Sequence, residues 1–250
     1  MSKIKPYISK FNTISLKEMN DVKLLSRIDT KFVFNKTLLL EMLPILKDHY
    51  KILKIDGNRF SRYNSIYFDT SDFLFYNSHH NGRLNRVKIR FREYVDSGLC
   101  FFEIKKKNAK GQTIKSRMNV KQSFRVLKSK HHHFIKEILN KDYHLNYCHE
   151  NLFNRITLVN NYIKERLTID FNFRFRNYPD KIISDTKNII IAELKQERLN
   201  RESIFYKLMR KNRIRKTGMS KYCFATSTIF PTLKSNRFKP NFTILDKNNN

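Results

Sequence analysis

Acids are scarce in this chain. It carries 22 Asp and Glu against 51 Lys and Arg in 250 residues, a formal net charge of +29. That excess is beyond what solubility needs and points to a polyanionic partner: nucleic acid, anionic lipid or polyphosphate. Cysteines are few. Cys100, Cys148 and Cys223 are odd in number and scattered, without metal-ligand spacing, and read as reduced thiols of a cytoplasmic protein. No apolar run approaches membrane-spanning length and the N-terminus has no signal-peptide core, so the chain reads as soluble unless a membrane-protein partner holds it. No low-complexity linker divides it, and one substantial core is expected. What is abundant is apolar and aromatic: 40% hydrophobic residues, with 21 Phe and 12 Tyr. A composition of that kind belongs to a folded protein and not to a basic tail.

The stretch Arg86–Lys107 reads as a β-hairpin turned by Asp96-Ser97-Gly98. Lys88, Arg90 and Arg92 recur at period 2 on one face of the first strand, and Glu103, Lys105 and Lys107 share a face of the second, with Phe102 and Ile104 opposite. One face of the hairpin is thus a cationic lattice holding a carboxylate. Other segments repeat the style. Arg27–Phe34 places Arg27, Asp29 and Lys31 on one face, Thr113–Asn119 does so with Lys115 and Arg117, and Phe153–Val159 carries Arg155. Arg166–Arg176 alternates Arg166, Thr168, Asp170, Asn172, Arg174 and Arg176 against Leu167, Ile169, Phe171, Phe173 and Phe175, and Ile189–Lys195 puts Glu193 and Lys195 on the face of Ile189 and Ile191.

Tyr63–Asp69 is a further strand, followed by a helix cap at Asp69–Asp72 before the aromatic stretch Phe73–Tyr76. Helices are predicted from a capping box at Ser15–Glu18 to about Leu25, from Lys36 to Lys47 with Pro44 kinking or ending it, from Gln122 to Leu139 interrupted by His131–His133, and from Ile204 to Arg213. The His131–His133 run reads as exposed and structural. Residues 1–230 form one domain in this reading, and residues 231–250 a polar, disordered tail.

The architecture is α+β: about eight antiparallel strands with helices packed outside. A sheet with one face on helices and the other in water gives such alternation cheaply. The charged faces here, however, are dominated by Arg at alternate positions. A closed barrel with those faces inward would collect them into one tunnel, which requires a bound polyanion and a divalent metal to offset the repulsion.

In chain order stand R-x-D-x-K (Arg27, Asp29, Lys31), Y-F-D (Tyr67–Asp69), K-x-R-x-R (Lys88, Arg90, Arg92), E-x-K (Glu103, Lys105) and K-x-R (Lys115, Arg117). F-N-R (Phe153–Arg155), R-L-T-I-D (Arg166–Asp170), E-L-K (Glu193–Lys195) and S-K-Y (Ser220–Tyr222) follow. This succession resembles the VTC domain, the catalytic domain of the vacuolar transporter chaperone complex, also found as stand-alone bacterial proteins. That domain belongs to the triphosphate tunnel metalloenzyme (CYTH-like) superfamily. Each motif alone is weak; the ordered set, over roughly residues 15–230, is specific.

The resemblance implies an eight-stranded antiparallel β-barrel tunnel that acts as a polyphosphate polymerase, moving the γ-phosphoryl group of ATP onto a growing polyphosphate chain with Mn²⁺ or Mg²⁺. It carries over Lys31, Arg90, Arg92, Lys105, Lys115, Arg155 and Lys221 as tunnel cations, Glu193 as metal ligand and Ser220 beside the last lysine. Lys88 and Arg117, from the same motifs, join Lys115, Ser220 and Lys221 as substrate-binding residues. Glu103 reads as an orienter of cations, and Asp170 pairs with Arg174 or lines the site.

Departures from the pattern are Arg27 in place of the first acid of the tunnel triphosphatases' E-x-E-x-K, Phe153 in place of a tyrosine, and Gly218 in place of a lysine. A tunnel phosphohydrolase and a non-catalytic polyanion-binding module are the competing readings. The concentration of cations on strands, away from loops, speaks against nucleic acid.

Overall fold

The computed structural model describes residues 3–21, 27–109, 111–177, 181–186 and 188–239. In chain order the elements are α1 (Lys5–Ile8), β1 (Thr13–Ile14), α2 (Leu16–Asp21), β2 (Ile28–Asn35), α3 (Lys36–Leu46), β3 (Tyr50–Leu53), β4 (Ser61–Asp69), α4 (Leu74–His80), β5 (Arg86–Tyr94), β6 (Leu99–Lys107), β7 (Thr113–Val120), α5 (Ser129–Leu139), β8 (Asn146–Asn160), β9 (Glu165–Asn177), β10 (Lys181–Thr186), β11 (Ile189–Gln196), α6 (Ile204–Lys211), α7 (Lys221–Ile229) and a 3-10 turn, Asn236–Phe238. No helix among the described residues is long and apolar enough to cross a membrane.

The main sheet runs β2-β11-β9-β8-β4-β5-β6-β7, eight strands with antiparallel neighbours throughout. The short β1, β3 and β10 attach at its margins. Alternation decides its two faces. Phe32, Phe34, Ile190, Ala192, Leu194, Leu167, Ile169, Ile156 and Leu158 form one buried cluster with residues of α1, α3 and α6. On the other half of the sheet Ile66, Phe68, Ile89, Phe91, Phe102 and Ile104 pack with Ile135 of α5 and Phe75 of α4. Helices α1, α3, α4, α5 and α6 therefore cover the apolar face, and the ionic face is concave.

Contacts across that concavity show how far the sheet curls. Lys88 of β5 donates to Ser220 (2.9 Å), while the next residue, Lys221, pairs with Asp170 of β9 (2.5 Å), although β4 and β8 separate those strands in the sheet. Among the described residues no hydrogen bond joins β2 to β7, so the tunnel is a deeply curled sheet and not a barrel closed by its ladder. On the β2 side the edge is extended by a bridge from Lys31 to Thr217, which carries the chain into α7.

Helix α7 is absent from the sequence reading, and the concave side is where it lies. Met219, Phe224 and Ala225 pack on Val33, Phe153, Phe173, Phe175, Ile189 and Ile191. Tyr222 and Cys223 join Tyr67, Tyr76 and Cys148. Buried around most of its circumference, α7 has no amphipathic period to betray it. Ser220 caps it, its hydroxyl accepting from the Cys223 N–H.

Several local expectations change. Asn172 takes a left-handed backbone (φ 54°), and the β8–β9 register shifts between Leu152 and Asn154. Such a bulge flips the faces beyond it. Phe171 stays in the helix-covered core, Phe173 and Phe175 turn to the concave side, and Arg174 is exposed. Asp170 consequently does not pair with Arg174.

The helix predicted from Gln122 begins only at Ser129, and the histidine run lies within it. His131 is buried against Phe91 and Phe102, its Nδ1 accepting from the Lys128 N–H. Burial, with help from Lys130, pushes its pKa down to about 4, which makes it a neutral core residue rather than an exposed one. Helix α3 continues through Pro44 to Leu46.

The capping box at Ser15 and Glu18 forms and opens α2; residues 22–26, where its predicted end falls, lie outside the described residues. Of the stretch assigned to the tail, residues 231–239 fold back, with Phe238 buried against Tyr76, His79 and His80, and residues 240–250 lie outside the described set.

Candidate functional site: an ionic tunnel

Three carboxylates organise the concave wall, each between two cations. On β5, β6 and β7, Arg90 donates through Nε (2.9 Å) and Nη2 (2.7 Å) to Glu103 Oε2, and Lys115 reaches Oε1 (2.8 Å). Burial alone would raise the Glu103 pKa, but Arg90 and Lys115 outweigh it and hold the group far below the usual carboxylate range. On β8, β9 and α7, Arg155 grips Asp170 with Nε (2.5 Å) and Nη2 (2.7 Å) as Lys221 takes Oδ2. Asp170 is also kept ionised against its own burial, by Arg155 and then Lys221.

On β2 and β11, Glu193 receives Lys31 (2.9 Å) and Lys195 (2.7 Å). Burial opposes its charge, Lys195 and Lys31 restore it, and its pKa lies well below normal. Asp29 sits at the rim, 3.1 Å from Arg27 and 3.5 Å from Lys195.

The wall also carries cations that, among the described residues, none of these acids pairs with directly. Arg92 is 6% exposed, and its Nε and Nη1 have no hydrogen-bond partner among the described residues. Its guanidinium lies 5.2 Å from the ring of Tyr63 and 5.3 Å from that of Phe153. Burial and then the charge of Arg90 lower its pKa to about 10. Lys105 has no carboxylate partner among the described residues, and the charge of Arg90, followed by burial, pulls its pKa well below that of a free lysine. Tyr67 reports the same field. Burial would raise its phenol, yet Arg90, Arg92 and Lys88 bring it below the ordinary tyrosine value. A site of this potential favours an anion with several charges.

Of the residues singled out from sequence, Lys31, Lys88, Arg90, Arg92, Lys105, Lys115, Arg155, Glu193, Ser220 and Lys221 all face this concavity through the contacts above. Arg117 does not join them closely. It is exposed toward the β7 edge, stacked 4.6 Å from the ring of Phe101.

Three contributions go beyond the roles read from sequence. Asp170 is an anchor shared by two cations from different elements. Tyr67 accepts from Arg90 Nη1 (3.0 Å). Tyr63 and Phe153, stacked at 5.2 Å, form an aromatic seat approached by Arg92, Arg155 and, at Phe153, Lys221. Their alternate positions facing the cations were a visible signal; the pairing across β4 and β8 was not.

Among the described residues no cluster of three His, Cys, Asp or Glu side chains is placed to hold a metal ion. Glu193 is a lone carboxylate with an ammonium on each oxygen. To hold a hard divalent cation, Glu193 would have to give up one of these ammonium partners; an ion arriving with phosphate oxygens of its own needs only one or two protein carboxylates.

The VTC domain family matches residues 26–230, a span that contains every residue of the ionic wall. No curated protein matches. Among solved structures, an adenylyl cyclase-like protein from Hippeastrum with a dominant triphosphatase activity is 11% identical, with 83% of this chain and 98% of that one covered and a TM-score of 0.46. An adenylate cyclase-like protein from Bacillus halodurans is 13% identical over 78% of this chain and 94% of its own, with a TM-score of 0.45. The Schizosaccharomyces pombe RNA triphosphatase Pct1 shares 13% identity, with 88% and 77% covered and a TM-score of 0.25. The family assignment rests on the domain match and not on these distant likenesses: with its ordered tunnel motifs inside the matched span, this chain is a member of the VTC domain family.

Proposed function

We propose that this protein is an ATP-dependent polyphosphate polymerase, transferring the γ-phosphoryl group of ATP to the end of a growing inorganic polyphosphate chain and releasing ADP. The observation that carries the reading is the surplus of cations on the concave wall: among the described residues, buried Arg92 and half-buried Lys105 pair directly with no carboxylate, in a member of a family most of whose motif cations fall on that wall. Phosphoryl transfer asks little covalent chemistry of a protein; positioning and neutralisation of the equatorial oxygens do most of it.

Arg90 and Arg155 are held in fixed orientation by their bidentate or forked bonds to Glu103 and Asp170, so their remaining N–H donors are pre-aimed. Lys31, Lys88, Lys105 and Lys221 supply further positive charge along the path. The acceptor is a terminal phosphate oxygen, anionic at neutral pH, and needs no protein base. A Mn²⁺ or Mg²⁺ ion held by Glu193 would supply Lewis-acid neutralisation of the nucleotide phosphates.

The same wall would serve a tunnel phosphohydrolase or a binding module, and product analysis separates the three. Purified protein with ATP and Mn²⁺ is expected to yield long-chain polyphosphate, seen on gels and destroyed by exopolyphosphatase. Free phosphate without polymer would assign the hydrolase, and neither product alongside tight polyphosphate binding would assign the module.

Lys105 gives a pH prediction. Its pKa is depressed in the free protein and rises when a polyanion neutralises Arg90 and Arg92 beside it. Tripolyphosphate binding is therefore expected to take up protons at alkaline pH and to weaken as pH rises through the depressed pKa. Calorimetry in buffers of different ionisation enthalpy measures this uptake. A proton count that Lys105→Met leaves unchanged would clear Lys105 of the effect.

A further inference from the structure

One row of the concave wall is polar, buried and unserved. In register across β8, β4 and β5 stand Asn151, Ser65 and Arg92, each a direct pair of the next. Asn151 is 0%, Ser65 1% and Arg92 6% exposed. Both polar atoms of the Asn151 side chain, the Ser65 hydroxyl, and Nε and Nη1 of Arg92 have no hydrogen-bond partner. The Asn151 amide lies close enough to His149 to favour its charged form, but without hydrogen-bond geometry.

Buried polar side chains left this way are costly, and folded proteins rarely tolerate three adjacent ones without a partner. The neighbours above and below are aromatic pairs, Tyr67 with His149 and Tyr63 with Phe153. Tyr222 packs on the first pair and Lys221 on the second, so the first turn of α7 straddles the row between them. Helix N-termini favour anions.

We propose that Arg92, Ser65 and Asn151, roofed by the first turn of α7, form a closed subsite for one phosphoryl group of the tunnel's substrate. A guanidinium whose nearest charged neighbours include Arg90 and Arg155 selects an oxyanion over a neutral group. The Ser65 hydroxyl and Asn151 amide are the short donors that fit beneath it. No motif singled out from sequence contains Ser65 or Asn151. The assignment rests on the tunnel being a polyphosphate site, and its test is built to fail separately.

Tripolyphosphate and a non-hydrolysable ATP analogue are titrated calorimetrically into wild type, Ser65→Ala, Asn151→Asp and, as a tunnel control outside the row, Lys105→Ala. Ser65→Ala, which removes one oxygen and little volume, is expected to weaken binding about fivefold. Asn151→Asp, which adds a negative charge, is expected to weaken it about a hundredfold. The ligand that loses more identifies whether the nucleotide or the inorganic chain supplies the phosphoryl group. Wild-type affinity for both ligands in Ser65→Ala, with Lys105→Ala impaired, would overturn the subsite and leave the tunnel reading intact. Absence of binding to wild type would overturn both. Should Asn151→Asp fail to fold, the Asn151 side-chain amide resonance of wild type decides: a shift on adding tripolyphosphate supports the subsite, and an unmoved resonance at saturation overturns it.

Discussion

Asp170→Ala should lose about 3–5 kcal/mol of unfolding free energy in urea, the cost of breaking a buried ion pair from one side. Asp170 is 2% exposed in its side chain, and the cations it holds, Arg155 and Lys221, are 21% and 18% exposed. Removal of the carboxylate leaves both without an acid and close to one another, in a region that already carries surplus positive charge. Asp170→Asn keeps the shape and removes only the charge, so a comparable loss there assigns the effect to electrostatics and not to a cavity.

The contrast is Asp29→Ala at the rim, where exposure to water limits the cost to about 0–1 kcal/mol. Tripolyphosphate should restore part of the loss. A ligand at a hundred times its Kd adds about 2.7 kcal/mol to any protein it binds, and in Asp170→Ala it also replaces the missing negative charge. The stabilisation it gives should then exceed that seen in wild type. A loss under about 1 kcal/mol would show that Arg155 and Lys221 are screened by solvent far better than their burial indicates.

Turnover should fall about a hundredfold or more in Glu193→Gln, with the fold kept but the thermal midpoint lowered by loss of the Lys31 and Lys195 pairs, if Glu193 is the protein ligand of the divalent ion. The two roles open to this side chain differ in sign elsewhere. As a metal ligand, its amide form weakens apparent metal affinity. As an acid in an anion site, its removal strengthens metal-free tripolyphosphate binding, because Lys31 and Lys195 are released. Weaker metal dependence together with equal or tighter tripolyphosphate binding is the expected pair of results. Loss of tripolyphosphate binding with metal dependence intact would make Glu193 an orienter of Lys31 and Lys195, the part that Glu103 plays toward Arg90 and Lys115.

Stability should also respond to acid through these groups. Glu103, Asp170 and Glu193 have folded pKa values below their unfolded ones. Their contribution is complete above the ordinary carboxylate range and is lost as pH falls below it toward the folded values. Asp69, whose pKa burial raises although it accepts from Tyr222 and three backbone N–H groups, acts in the opposite sense.

The alternation of the strands was legible in the chain because a period of two survives any tertiary arrangement. It placed Lys31, Arg90, Lys105, Arg155 and Glu193 together on the faces that the structure joins, and the central hairpin falls where Asp96-Ser97-Gly98 predicts it. What failed did so where period two breaks or where burial is all-round. Asn172 inserts a left-handed residue that no propensity requires, and it moved Phe173 and Phe175 to the other face. Helix α7, buried among strands, shows no amphipathic period and few strong helix formers beyond Lys221 and Ala225, with aromatic and β-branched residues along its length.

By itself, then, the sequence determined the charge surplus, the strand faces and the ordered motifs of a VTC domain, all of which are one-dimensional properties. Only the tertiary structure decided which acid each cation meets. Lys221 reaches Asp170 from a helix, and Arg92 pairs directly with no acid among the described residues, because those distances follow from the curl of the sheet and from the placement of α7 within it.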